Sequence, residues 1–238
     1  GTPVSLPIPG TTSTYALEIK DINGNGLPDI VTSQFNTNVS NVFICDNKSS
    51  PGNFNLSDIT MLSLTQTVAN VRVGDLDGDG KPDIAAARLL GDDVSIMRNL
   101  STSSQISFAA PVSFLTGNLS WGLDIADFDG DDKADIVVAP IGAKALSVLH
   151  NNSTAGTFTF NAITLNTTFI NRHVKAGDVD GDGKPDIVFT SIDDNSQGII
   201  ASKVSIIRNK SCMTPAITPT GPLTICAGFP LQLTATQS

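Results

Sequence analysis

The chain has 238 residues and a formal net charge of −9, with 14 basic against 23 acidic side chains, 20 glycines, 13 prolines and 11 phenylalanines. This balance argues against nucleic acid as a partner, because phosphates are held by Lys and Arg, and no apolar run is long enough for a membrane span, so no membrane insertion is expected. Nothing in the pattern calls for a long amphipathic helix, and the composition fits an all-β chain of short strands and turns.

The N-terminal residues read as the end of a strand, since Gly1-Thr2-Pro3-Val4-Ser5-Leu6 matches the later Ala109-Ala110-Pro111-Val112-Ser113-Phe114. A loop rich in acidic, Asn and Gly residues then opens at Asp21 and returns at Asp75, Asp127 and Asp178, at intervals of 54, 52 and 51 residues. A period of this size signals a propeller blade or a similar repeated sheet.

The second copy, Asp75-Leu76-Asp77-Gly78-Asp79-Gly80-Lys81-Pro82-Asp83-Ile84, states the pattern most fully. Carboxylates at positions one, three, five and nine and a main-chain carbonyl at seven surround one point with hard oxygens, the ligand type that calcium takes. The ligand positions are Asp75, Asp77, Asp79, Lys81 and Asp83; Asp127, Asp129, Asp131, Lys133 and Asp135; Asp178, Asp180, Asp182, Lys184 and Asp186; and, in the first copy, Asp21, Asn23, Asn25, Leu27 and Asp29. About four calcium ions, one per loop, are expected, and their charge would offset most of the −9. Glycines at positions four and six permit the positive φ that lets the carboxylates converge. Asp132 replaces the second of these in the third loop, a substitution Asp tolerates better than most residues. With Asn at two ligand positions, the first loop is expected to bind most weakly. An EF-hand is excluded, because position twelve is Ala86 rather than Glu and the flanks read as strands.

Each unit repeats a strand into the loop, a strand leaving it, a third strand and usually a fourth. In the second unit these are Val68 to Gly74, Ile84 to Arg88, Val94 to Asn99 and Ile106 to Phe114; in the third, Leu123 to Ala126, Ile136 to Ala139, Leu146 to Asn151 and Phe158 to Leu165. Four short strands per unit suggest one blade each. The fourth unit lacks an outer strand of its own, which residues 1 to 8 could supply. Three residues before the loops stand Glu18, Arg72, Asp124 and Lys175, so adjacent inner strands either pair charges around a channel or present unrelated polar groups to it. Cys45 aligns with Met97, Leu149 and Ile207 and reads as a buried thiol, whereas Cys212 and Cys226 lie in a different kind of sequence.

The loop motif, followed by Val-Ser-Ile-x-Arg-Asn and a Phe-containing strand, resembles the FG-GAP/VCBS repeats, the calcium-bearing propeller repeats also found in integrin alpha subunits. The resemblance covers residues 1 to about 211. It implies a β-propeller of four-stranded antiparallel blades, commonly seven, with one calcium ion in each motif-bearing blade. Four motifs then mean either a four-bladed ring or four blades of a larger ring, the latter favoured by family precedent. Residues 212–222 read as a Pro-rich linker, and residues 223–238 resemble the start of a second, immunoglobulin-like β domain as found in bacterial surface proteins.

No catalytic constellation is visible. His150 takes a slot that holds Arg98 and Arg208 in sister repeats and reads as a solvent-facing polar position; His173 lies in an inner strand without a partner nucleophile. Trp121 and Tyr15 are the only residues of their kinds and read as core or channel residues rather than as a sugar platform in every blade. Asn-x-Ser/Thr triplets such as Asn118-Leu119-Ser120 recur and would matter in a source that glycosylates them. The expectation is a non-enzymatic, calcium-stabilised binding or scaffold module of a secreted or cell-surface protein, joined to neighbouring domains and contacting a protein or glycan. The alternative is an accessory or catalytic domain of a secreted polysaccharide- or lipid-degrading enzyme. Millimolar extracellular calcium would suit even loose sites.

Overall fold

All regular structure in the computed structural model, which describes residues 5–8, 13–35, 40–56, 58–194 and 200–210, is β-strand. The first sheet holds Thr14–Lys20 (β1), Asp29–Gln34 (β2), Ser40–Asp46 (β3) and Asp58–Leu64 (β4); the second Val68–Gly74 (β5), Asp83–Arg88 (β6), Asp93–Met97 (β7) and Val112–Leu115 (β8). The third holds Ser120–Ala126 (β9), Asp135–Pro140 (β10), Ala145–Asn151 (β11) and Phe160–Asn166 (β12). The fourth has three strands, Ile170–Gly177 (β13), Asp186–Asp194 (β14) and Ile200–Ile207 (β15). In every sheet the strands follow one another in sequence order and pair antiparallel.

The sheets pack face to face, and their sequences say why. β6 (DIAAAR) and β10 (DIVVAP) are buried on both faces, so they are continuous apolar runs rather than alternating ones. The outer strands β8 and β12 are largely exposed and mix polar with apolar residues. Three separate cores result, one at each junction: Val31, Val42 and Ile44 of the first sheet against Val71, Ile84 and Met97 of the second; Ala85, Val94 and Ile96 against Leu123, Ile136 and Leu149; and Val137, Leu146 and Val148 against Val174, Ile187 and Phe189. Among the described residues the sheets do not close into a ring. Residues 5–8 form no strand, so this part of the N-terminal segment does not supply the missing outer strand; residues 1–4 and the expected linker and second domain lie outside the described residues.

The strand expected from Ile106 to Phe114 is shorter than the sequence suggests. Pro111 has no N–H to continue a ladder; before it the chain forms an arm with isolated bridges between Asn99 and Phe108 and between Thr102 and Gln105. Ile106 and Phe108 pack from this arm onto the first core. Cys45 is fully buried, as its alignment with Met97 and Leu149 indicated.

The charges on the inner strands pair across the sheets. Arg72 of β5 reaches Glu18 of β1 at 2.9 Å and Asp124 of β9 at 2.7 Å, and Lys175 of β13 lies 3.4 Å from the same Asp124 oxygen. Arg72 and Asp124 keep only 14% and 11% of their side-chain surface exposed. At the strand ends away from the loops, Tyr15 of β1 and Trp121 of β9 meet edge-on at 5.6 Å, with Phe35 packed beside both.

Removing a mostly buried cation that serves two carboxylates is costly, because Glu18 loses its ion-pair partner and Asp124 keeps only the exposed Lys175 as one. Arg72→Leu is therefore expected to lower the unfolding free energy by about 2–4 kcal/mol, and Lys175→Met, at an exposed pair, by less than about 1 kcal/mol. Urea denaturation checks this, and equal effects of the two would contradict it.

Candidate metal centres

Each loop joins the first strand of a sheet to the second, so all four emerge from the same end of their sheets. Their fold is set by their own carboxylates. The position-one Asp accepts from the N–H groups of positions four and six: Asp75 from Gly78 at 2.8 Å and Gly80 at 2.9 Å, Asp127 from Gly130 at 2.7 Å and Asp132 at 2.9 Å. Asp21 and Asp178 repeat this with Gly24 and Gly26 and with Gly181 and Gly183. The turn demands positive φ at both donors, 76° at Gly78 and 85° at Gly80. Asp132 adopts it at 66°.

Position five accepts from the N–H of position seven in every loop: Asn25 from Leu27, Asp79 from Lys81, Asp131 from Lys133 and Asp182 from Lys184, at 2.7 to 3.0 Å. The position-seven carbonyls then remain as the expected main-chain ligands. The Lys81 ammonium turns away to the Ser101 carbonyl at 3.0 Å.

Position nine is the buried anchor. Asp83 has no exposed surface; one oxygen accepts from Leu76 N at 3.0 Å and the other from Asn99 N at 2.8 Å. Asp29, Asp135 and Asp186 make the same pair of bonds, to Ile22 and Asn47, Phe128 and Asn151, and Val179 and Asn209. The asparagine at or just past the end of the third strand was not legible as part of the site. Its side chain ties the loop to the preceding sheet: Asn99 Nδ2 donates to Ile22 O at 2.7 Å as well as to Pro82 O in its own sheet, Asn151 to Leu76 O at 3.0 Å and Ala134 O, and Asn209 to Phe128 O. Their Oδ1 atoms accept from Ser101 and Ser153 two residues on. These Asn-x-Ser triplets, which resemble glycosylation acceptors, are turn motifs, with Asn99 and Asn151 buried. Their recurrence at the same point of each repeat was the available signal.

Three loops gather three carboxylates whose oxygens lie within 4.8 Å of one another: Asp75, Asp77 and Asp83; Asp127, Asp129 and Asp131; and Asp178, Asp180 and Asp186. Asp79 and Asp182 stand outside those triplets, and Asp135 instead groups with Asp129 and His150. His150 is not simply solvent-facing, since its Nδ1 is 3.2 Å from Asp129 and 3.4 Å from Asp135. Arg208, in the same slot, pairs with Asp180. In the first sheet the slot holds Asp46, which accepts from Asn23 Nδ2 at 3.0 Å, so a third carboxylate stands beside Asp21 and Asp29 where the loop itself carries Asn. His173 is exposed.

Burial raises the Asp29, Asp129 and Asp135 carboxyls above the ordinary range. Asp83 is pushed up to about 7, by burial first and then by Asp77 and Asp79, against the opposing N–H bonds from Asn99 and Leu76. Asp186 goes the other way, lowered chiefly by the Asn209 N–H. A divalent cation would supply the charge such a cluster lacks, and the all-oxygen donors of the three carboxylate triplets suit calcium or magnesium rather than a thiophilic metal. The donor set therefore fits.

Four antiparallel sheets that each open on an acidic loop define a β-propeller-type repeat protein. Residues 21–86 and 127–189 match the FG-GAP-like repeat, just over half of the chain, and the chain belongs to that family. Repeats of this kind are typical of extracellular and surface proteins. No curated protein matches the chain.

Two outcomes test the site. With its folded value above the unfolded 3.8, Asp83 binds more protons folded than unfolded across that window, so stability falls as pH rises from about 4 to 7. Urea melts in chelator are expected to show this decline, and saturating calcium to abolish it; a flat profile in chelator would contradict the assignment. Asn99→Ala, which removes two side-chain donors and the Ser101 acceptor, is expected to cost about 2–3 kcal/mol in the same assay, and a change below about 0.5 kcal/mol would remove Asn99 from its role.

Proposed function

We propose that this chain is a non-catalytic, calcium-stabilised propeller module that presents a rigid loop face to a protein or glycan outside the cell. The convergence of three carboxylates at one point, repeated in three loops, is the observation that carries this reading. Without a cation these groups repel one another or take up protons; with calcium they become ligands, and each loop is fixed to the two strands it joins.

The fixed loops share their end of the sheets with the connections between third and fourth strands, which are turned back on themselves by bridges at Ser50 and Asn53, Thr102 and Gln105, and Thr154 and Thr157. The third sheet's connection reaches the neighbouring loop, where Gly156 N donates to Asp77 at 2.8 Å. A polar cleft between Asp46, Lys48 and Asp58 of the first sheet and Ser104 and Gln105 of the second opens among these connections. A surface of hydrogen-bonding loops on a stiff scaffold suits recognition of another macromolecule.

Thermal unfolding in millimolar calcium and in excess chelator tests the reading. Ligand that binds only the folded state raises stability by about 2.7 kcal/mol per site at a hundred times its Kd, so several sites should raise Tm by many degrees in one cooperative transition. An unchanged Tm would mean that the loops are not cation sites.

A further inference from the structure

The slot at or just past the end of the third strand carries a different chemistry from sheet to sheet, holding Asp46, Arg98, His150 and Arg208 in turn. Arg208 brings a positive charge to Asp180, and Asp46 brings a carboxylate to Asn23. Of the four residues only His150 carries a nitrogen that can ligate a metal. The strand pairing brings it to the loop. β10 and β11 run antiparallel with Ile136 opposite Leu149, so one step further toward the loop Asp135 stands opposite His150, with both side chains on one face of the sheet. Asp135 is 1% exposed, and the N–H groups of Phe128 and Asn151 fix its orientation. Asp129 completes the group from loop position three. Its Oδ1 accepts from Asp131 N at 3.2 Å, and its Oδ2 lies 3.2 Å from His150 Nδ1; Asp135 Oδ1 lies 3.4 Å from the same nitrogen.

The third loop departs from its sisters where the imidazole stands. In the second and fourth loops the position-nine carboxylate, Asp83 or Asp186, groups with positions one and three. In the third, Asp135 leaves that set, and one donor atom each from Asp129, Asp135 and His150 falls within 4.8 Å of the other two. Donors bonded tetrahedrally to zinc at about 2.0–2.1 Å stand about 3.3 Å apart, close to the 3.2 and 3.4 Å that His150 Nδ1 keeps from the two oxygens. An imidazole nitrogen suits zinc and its transition-metal neighbours, whereas calcium takes oxygen ligands.

We propose that the third loop holds a transition-metal ion of the zinc class through His150 Nδ1, Asp129 and Asp135, in preference to the calcium of its sister loops. This rests on the reading of the loops as cation sites and assigns a different ion to one of them. Asp129 belongs both to the acidic triplet and to this group, so zinc displaces calcium here rather than adding to it. The His150 side chain is 28% exposed, which leaves the ion a way in from solvent. Three protein donors leave a four-coordinate ion one position for water or for a group on a bound partner.

Dialysis against micromolar zinc in millimolar calcium, with both metals counted by mass spectrometry, tests the assignment. Cys212→Ser and Cys226→Ser in the background chain keep thiolates from competing for zinc. One zinc per chain is expected, with one calcium displaced. His150→Gln should weaken zinc binding at least about tenfold and leave the melting temperature in calcium unchanged, and His173→Gln should change neither. The imidazole nitrogen resonances give a second readout that does not depend on a variant: zinc should shift Nδ1 of His150 and leave His173 in place. Zinc held equally by the wild type and His150→Gln, or a His150 resonance that zinc does not move, overturns the proposal. Calcium uptake without zinc uptake overturns it and leaves the calcium reading standing. Zinc uptake with the His150 shift but no calcium at any loop supports it and overturns that reading instead, and uptake of neither metal overturns both.

Discussion

A buried aspartate at the ninth position of each loop holds this structure together. Asp83 is the clearest instance: one oxygen closes the loop through Leu76 N and the other fixes the start of the next connection through Asn99 N, while Asn99 reaches into the first sheet. Loop, third strand and neighbouring sheet are thus tied through one carboxylate that has no exposed surface. Burying it ionised beside Asp77 is unfavourable, which its raised proton affinity expresses. The proposed divalent cation would relieve this tension by making the ionised form the stable one.

The same geometry explains how the repeats depend on one another. Each sheet is buried on both faces only where it has a neighbour, so the second and third sheets have apolar central strands, while the outer strands remain half polar. The hydrogen bonds made by Asn99 and Asn151 run backward along the arc, and the position-two side chains Ile22 and Leu76 run forward. Every junction is therefore locked in both directions, by packing and by a polar bond. Arg72, shared by Glu18 and Asp124, extends this to the inner rim.

Much of this was legible in the sequence because the repeat states it four times. The acidic loops, the strands around them, the buried Cys45 and the alternation of Glu18, Arg72, Asp124 and Lys175 all follow from period and position. What escaped depended on contacts between repeats. Asn99 and Asn151 look like glycosylation sites because the Asn-x-Ser turn and the acceptor triplet share a pattern, and only their burial distinguishes them. His150 and Asp46 occupy one slot but belong to different charge pairings, which is visible only when the slot is seen facing loop position three. The strand expected from Ile106 failed at Pro111, where apolar residues serve a packed arm rather than a ladder. Whether the described sheets close on one another was not legible either, since nothing local records whether the last sheet meets the first.

The number of calcium ions bound per chain tests the central claim most directly. Equilibrium dialysis against calcium, with the bound metal counted by mass spectrometry, should approach four per chain. Three sites should fill first and the first loop last, because Asn23 and Asn25 replace two carboxylates there and Asp46 makes good only part of the loss. Binding of no calcium at millimolar concentration, or four sites filling identically, would contradict the account.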